Sequence, residues 1–160
     1  MTNQTHTLLA WLRDAHATER ATVDTLDHLA ERLNRPYPDF AARFRQHWQE
    51  TLGQVERIET CLDELASDTS TFQDLRNRFI GISRAYAVEV LPDELVKDCV
   101  AAYASRHFEI ATYLSLAAAA RKLEQPAVVQ MCEENLQQER SMASWLEQHI
   151  PEATLDFLQP

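Results

Sequence analysis

LLAWLRDAHATERATVDTLDHLAERL, residues 8–33, has the pattern of an amphipathic helix with one residue out of place. Leu12, Glu19, Leu26 and Leu33 follow one another at a spacing of seven, beside Leu8, Ala15, Thr22 and Leu29. The two rows make a single core-facing seam. Glu19 stands in the middle of it, where an ionised carboxylate without a partner is strongly disfavoured or takes up a proton. Glu139 poses the same problem among Val128, Val129, Cys132, Leu136, Ala143 and Leu146. Something cationic should face both glutamates, and its nature decides the function.

Outward from this stretch, the punctuation of the chain predicts further helices. The first runs from near Thr5 to near Asn34, just before Arg35-Pro36-Tyr37-Pro38. A second runs from Pro38 to about Ala66, with Phe40, Phe44, Trp48, Val55, Ile58, Leu62 and Leu65 on its inner side. Residues 67–71 offer N-cap chemistry for a shorter helix over 72–89. Pro92-Asp93-Glu94 opens a fourth, ending near Glu124, and Gln125-Pro126 starts a fifth that should stop near His149, before Pro151. Leu155, Phe157 and Leu158 in the tail are expected to pack on the bundle or on a second subunit. Tight connections within each hairpin, and a crossover of about 26 residues between hairpins, are the pattern of a ferritin-like four-helix bundle. The expected architecture is one all-α domain over residues 1–160, with a short extra helix in the crossover.

Composition narrows the function classes. Two glycines in 160 residues suit an all-helical chain, and a net charge of −10 without a basic stripe argues against nucleic acid and anionic membranes. No run approaches the ~18 apolar residues of a membrane span. Met1 to Thr7 lacks the basic and apolar regions of a signal peptide, so the expected location is the cytoplasm. Cys61, Cys99 and Cys132 are odd in number and lie on helix core faces, as reduced, buried side chains do. No nucleophile triad, phosphate loop or cysteine motif appears, and no reaction can be named.

Counting residues from the two tight turns places the polar core residues at one depth. Glu19 precedes the first turn by about 17 residues, or ~25 Å of helix, and Glu50 and Gln54 return to that level. Glu109 and Glu139 are similarly spaced about the second turn. By helical angle, Glu19 and Glu139 are central on their faces, Glu109 is on a flank and Glu50 at an edge, with His47 and Thr51 further inside. Arg106 projects from the centre of the fourth helix's inner stripe. The expected cluster is therefore Glu19, His47, Glu50, Gln54, Arg106, Glu109, Tyr113 and Glu139. Carboxylates from facing helices are how a bundle holds two iron or manganese ions. The usual Glu-x-x-His pair is missing, since Gly53 and Met142 occupy the expected histidine positions. A reversed pair, His47-x-x-Glu50, is the nearest substitute.

Several stretches resemble the YciE/YciF family of ferritin-like bacterial proteins: Trp11 to Glu19, His47 to Gln54, Phe108 to Tyr113, Glu139 to Leu146 and His149 to Phe157. The resemblance covers nearly the whole chain and is closer to the YciE branch. It implies a four-helix bundle, often a homodimer, associated with bacterial stress responses and descended from di-iron proteins, with no established reaction. The family's metal-site carboxylates correspond to Glu19, Glu50, Glu109 and Glu139, with His47 and Gln54 alongside. Arg106 departs from the pattern, which has a glutamate there. Two expectations follow. In one, Glu19, His47, Glu50, Glu109 and Glu139 bind iron or manganese. In the other, no metal is bound and Arg106 is the counter-charge of a structural or protein-interaction bundle.

Overall fold

A computed structural model of the chain describes residues 3–67 and 94–159. Four helices account for nearly all of them: α1 (Asn3–Leu33), α2 (Pro38–Ser67), α3 (Glu94–Lys122) and α4 (Pro126–Phe157). The expected helix over 72–89 lies outside the described residues. The α1–α2 and α3–α4 hairpins each pack closely, and they meet through α2 against α4 and α1 against α3. Hence α1 and α4 are diagonal partners, as are α2 and α3. The fold is an all-α four-helix bundle. Among the described residues, no helix is long and apolar enough to cross a membrane.

The helix boundaries follow local chemistry. Pro38 and Pro126 stand at the first positions of α2 and α4, where a missing N–H costs no hydrogen bond. The α3–α4 turn is tightened by Glu124, whose φ of 55° is left-handed, and by the Gln125 N–H bonding to the Ala120 carbonyl at 2.9 Å. The expected stop before Pro151 is corrected: α4 continues through that proline to Phe157. Pro151 removes the bond that would reach Glu147, but both residues face solvent, where water can satisfy the freed carbonyl. On the inner side, Ile150 and Ala153 pack with Phe44 and Leu146, which holds the extra turns in place. The tail does not pack on its own bundle: Leu155, Phe157 and Leu158 are 64%, 45% and 68% exposed.

The core divides into two apolar bodies. At the end with the α3–α4 turn, Leu8, Leu12, Ile58, Leu116, Met131 and Cys132 belong to one cluster. At the end with the α1–α2 turn, Leu26, Leu33, Phe44, Cys99, Met142 and Leu146 belong to the other. All three cysteines are free and buried. Between the two bodies every helix turns polar.

Candidate functional site

The polar layer is assembled from both diagonals. From α1 and α4 come Glu19 and Glu139; from α2 and α3 come His47 and Arg106, and all four are at most 3% exposed. Thr22, Thr51, Gln54, Glu109 and Asn135 are buried with them. Helical spacing explains the grouping. Glu19 and Thr22 lie on adjacent turns of α1, His47, Thr51 and Gln54 on successive turns of α2, and Asn135 and Glu139 on α4.

Arg106 is the internal cation. Its Nη2 lies 2.9 Å from Glu109 Oε2, and its Nη1 lies 3.1 Å from Glu139 Oε2. These are close ion pairs without good alignment, because neither oxygen receives a hydrogen bond of acceptable angle, and Arg106 Nε has no acceptor. Nη1 also meets His47 Nε2. The opposite imidazole nitrogen, Nδ1, is 2.8 Å from Glu50 Oε2. Those partners assign a neutral His47 that donates from Nδ1 and accepts at Nε2. Burial lowers its pKa by more than the Glu50 hydrogen bond raises it. Burial also opposes the charge of Arg106, but Glu109, Glu139 and Glu19 outweigh it and raise the guanidinium pKa further.

The three central carboxyls are held in a proton-binding range. Burial, then repulsion from Glu139, raises Glu19 to about 8 despite a 2.5 Å hydrogen bond from the Tyr113 hydroxyl. Glu109 and Glu139 are both raised to about 7, chiefly by burial, with Arg106 pulling each down. Glu109 Oε1 accepts from Thr22 Oγ1 at 2.8 Å, and Glu139 Oε1 accepts from Gln54 Nε2 at 2.8 Å. Glu19 Oε2 receives nothing.

Charge decides what this layer can hold. Fully ionised, the three carboxylates oppose one guanidinium and leave two negative charges in a dry interior. Two protons or one divalent cation would close the difference. One oxygen from each of Glu19, Glu109 and Glu139 lies within 4.8 Å of the others, which suits a single hard cation with oxygen ligands. Two metal ions would not fit the same donors. The Arg106 guanidinium spans Glu109 and Glu139, His47 Nε2 faces Arg106, and Glu50 is half-buried on the outer side of His47.

Of the residues expected from sequence, Glu19, Glu109 and Glu139 converge. His47 is adjacent, with Nε2 3.4 Å from Glu139 Oε1, while Glu50 touches the layer only through His47. Gln54, Arg106 and Tyr113 also belong to it. Thr22 and Asn135 were not expected as members. Asn135 lies one helical turn before Glu139, so its spacing could have revealed it. His107 is exposed, beside Tyr103.

Comparisons with known proteins agree with this architecture. A family model described as a domain of unknown function (DUF892) matches residues 3–159. The chain resembles a crystal structure of a protein from Xanthomonas campestris pv. campestris at 31% identity and a TM-score of 0.79, covering 98% of this chain and 97% of that one. It also resembles the E. coli stress protein YciF at 19% identity and a TM-score of 0.69, covering 96% and 98% of the two chains. The second likeness is one of fold, and the YciE branch stays an expectation. The match over nearly the full length places this chain in the DUF892 family, the YciE/YciF family.

Proposed function

We propose that the protein binds one iron(II) or manganese(II) ion at mid-bundle through Glu19, Glu109 and Glu139, with Arg106 standing where a second cation would otherwise be. The observation that carries this reading is the unpartnered Oε2 of fully buried Glu19, within a set of three converging carboxylates. Hard oxygen donors favour these ions over softer ones. His47 is the next donor in line, and Glu50 fixes its tautomer as a supporting carboxylate does around metal-bound histidines. A bound ion would supply Lewis-acid or one-electron chemistry. The residues of the chain would hold it, keep water out and balance its charge. A part in stress protection is proposed by analogy with the E. coli stress protein.

One observation favours a second reading. Arg106 already lies against Glu109 and Glu139, so two protons on the carboxyls would suffice without metal, leaving a structural or interaction bundle. Elemental analysis separates the two. Protein produced with iron and manganese supplements, and purified without chelator or histidine tag, should carry close to one ion per chain. Glu19→Gln should lose it. Little metal, with weak uptake on reconstitution, would sink the metal reading and leave Arg106 as the working counter-charge. Self-association into a homodimer is proposed as well. Val100, Phe108 and Leu114 on α3 are 52%, 61% and 48% exposed, and burying them would be favourable. Sedimentation of Phe108→Glu should then show a smaller species than the parent.

A further inference from the structure

A polar groove of about 370 Å³ opens between α2 and α4 at the height of the buried layer, lined by Glu50, Arg57, Glu134, Gln137, Gln138 and Ser141. Its connections run inward at three points. Gln54 Nε2 donates to Gln138 Oε1 on the groove wall at 3.1 Å and to Glu139 Oε1 in the layer at 2.8 Å, so one amide separates the two spaces. Glu50 on the wall meets His47 Nδ1 at 2.8 Å, and His47 faces Glu139. Asn135, which accepts from Arg57 Nε at 2.7 Å, is itself fully buried one turn before Glu139.

Arg57 lies across these connections. Its Nε donates to Asn135 Oδ1 and its Nη2 to Gln138 Oε1, each at 2.7 Å, and Glu134 is 3.7 Å away. The side chain thus ties α2 to α4 over the Gln54 amide. Gly53 makes room for it. A Cβ at Gly53 would stand 3.3 Å from Arg57 Nη1, tight enough to press on the guanidinium. Glycine in the middle of a helix is otherwise unfavourable, so the space it leaves beside Arg57 is a reason for its presence.

We infer that this groove is the entrance to the buried site for a divalent cation, and that Arg57 with Gln138 is its latch. Glu50 and Glu134 attract the cation at the mouth, the Arg57 guanidinium swings off Asn135 and Gln138, and the Gln54 amide turns aside. The inference rests on the proposed metal reading and concerns how the ion arrives rather than what holds it.

Rapid mixing of metal-free protein with Mn(II), followed by a metallochromic dye, tests it. Losing two hydrogen bonds from the latch in Arg57→Ala should speed both uptake and release by about tenfold or more and leave Kd nearly unchanged. Arg57→Lys keeps the charge but cannot make both bonds, and should also be fast. Arg121→Ala removes an exposed pair with Glu133 on another part of the surface and should match the parent. Stoichiometric binding with parental rates in Arg57→Ala would overturn the latch and leave the metal site standing. Fast Arg57→Ala with slow Arg57→Lys would also overturn it, because electrostatic steering would then explain the rate. No Mn(II) uptake by the parent or by either variant would overturn the entrance together with the metal reading.

Discussion

Leu12, Ile58 and Leu116 at one end of the bundle, and Phe44, Met142 and Leu146 at the other, need only close neighbours to be stable. Glu19, His47, Arg106, Glu109 and Glu139 between them need charges and hydrogens in the right places. Both kinds of region are equally buried. In an apolar body a lost side chain leaves a hole whose cost scales with its volume. In the polar layer a lost side chain leaves its former partners buried and unpaired, and the cost depends on what replaces the missing charge. The lesson is that pH and cations should act on one region and not on the other.

The largest effect is expected from Arg106→Ala. Without the guanidinium, the metal-free protein should lose roughly 3–5 kcal/mol in chemical denaturation, the range for breaking a buried ion pair. Leu12→Ala should cost a comparable ~2–5 kcal/mol by leaving a cavity. Addition of Mn(II) tells them apart, because it should recover part of the Arg106→Ala loss and add only the parental increment to Leu12→Ala. A melting curve for Arg106→Ala that matches the parent would dismiss the ionic account of the layer.

Metal itself comes next in size. For the parent, free Mn(II) at a hundred times Kd should add about 2.7 kcal/mol by mass action. Glu19→Gln should abolish that gain, since the variant keeps the shape of the side chain and removes its negative charge. An equal gain in Glu19→Gln would mean that the ion binds elsewhere.

The pH dependence has a definite sign. Glu19 is raised from an ordinary 4.5 to about 8, and Glu109 and Glu139 from 4.5 to about 7, so the folded chain retains protons the unfolded chain has released. These groups therefore favour folding most below the unfolded value, and that support is lost as pH climbs through about 4.5 to about 8. Metal-free protein should accordingly melt at lower temperature near pH 8 than near pH 5.5. Glu19→Gln should flatten the profile and Leu12→Ala should keep it. A profile unchanged by Glu19→Gln would remove Glu19 as its source.

The smallest effects sharpen the boundary of the layer. Thr22→Val deletes the hydroxyl that donates to Glu109 Oε1 at 2.8 Å, and should cost about 1–3 kcal/mol because it leaves a buried acceptor short of a partner. Arg121→Ala removes an ion pair whose side chains are 58% and 59% exposed, and should cost no more than about 0.5 kcal/mol. Similar losses for the two would mean that Glu109 does not depend on Thr22.

The helical seams made much of this legible in advance. A spacing of seven put Glu19 inside, and equal distances from the two tight turns brought Glu109 and Glu139 to its level. The position of Arg106 on the inner stripe was visible in the same way. What escaped was set by side-chain reach rather than by period. Glu50 lies at the edge of its face, and only the rotamers of His47 and Glu50 decide that the carboxylate turns to Nδ1 instead of toward the centre. Arg57 and Gln138 look like ordinary surface residues in one dimension, and their link across α2 and α4 exists only after the hairpins dock. Pro151 was expected to end α4 by a rule of backbone chemistry, and packing of Ala153 overrode it.

Because each diagonal pair draws one member from either hairpin, neither hairpin contains the complete hydrogen-bonded layer. Sliding one hairpin along the other by a single turn, about 5.4 Å, would carry Arg106 away from His47, Tyr113 away from Glu19 and Gln54 away from Glu139, and push these polar groups into the leucines of one end. Apolar surfaces alone would tolerate such slippage far better. The layer should therefore act as a docking key that selects one alignment of the two halves. A variant with Glu19, His47, Arg106, Glu109 and Glu139 all replaced by apolar residues is expected to resist denaturant at least as well as the parent, yet to populate several alignments. Broadened amide resonances in such a variant would reveal the lost key, and a single sharp set would show that the leucines suffice.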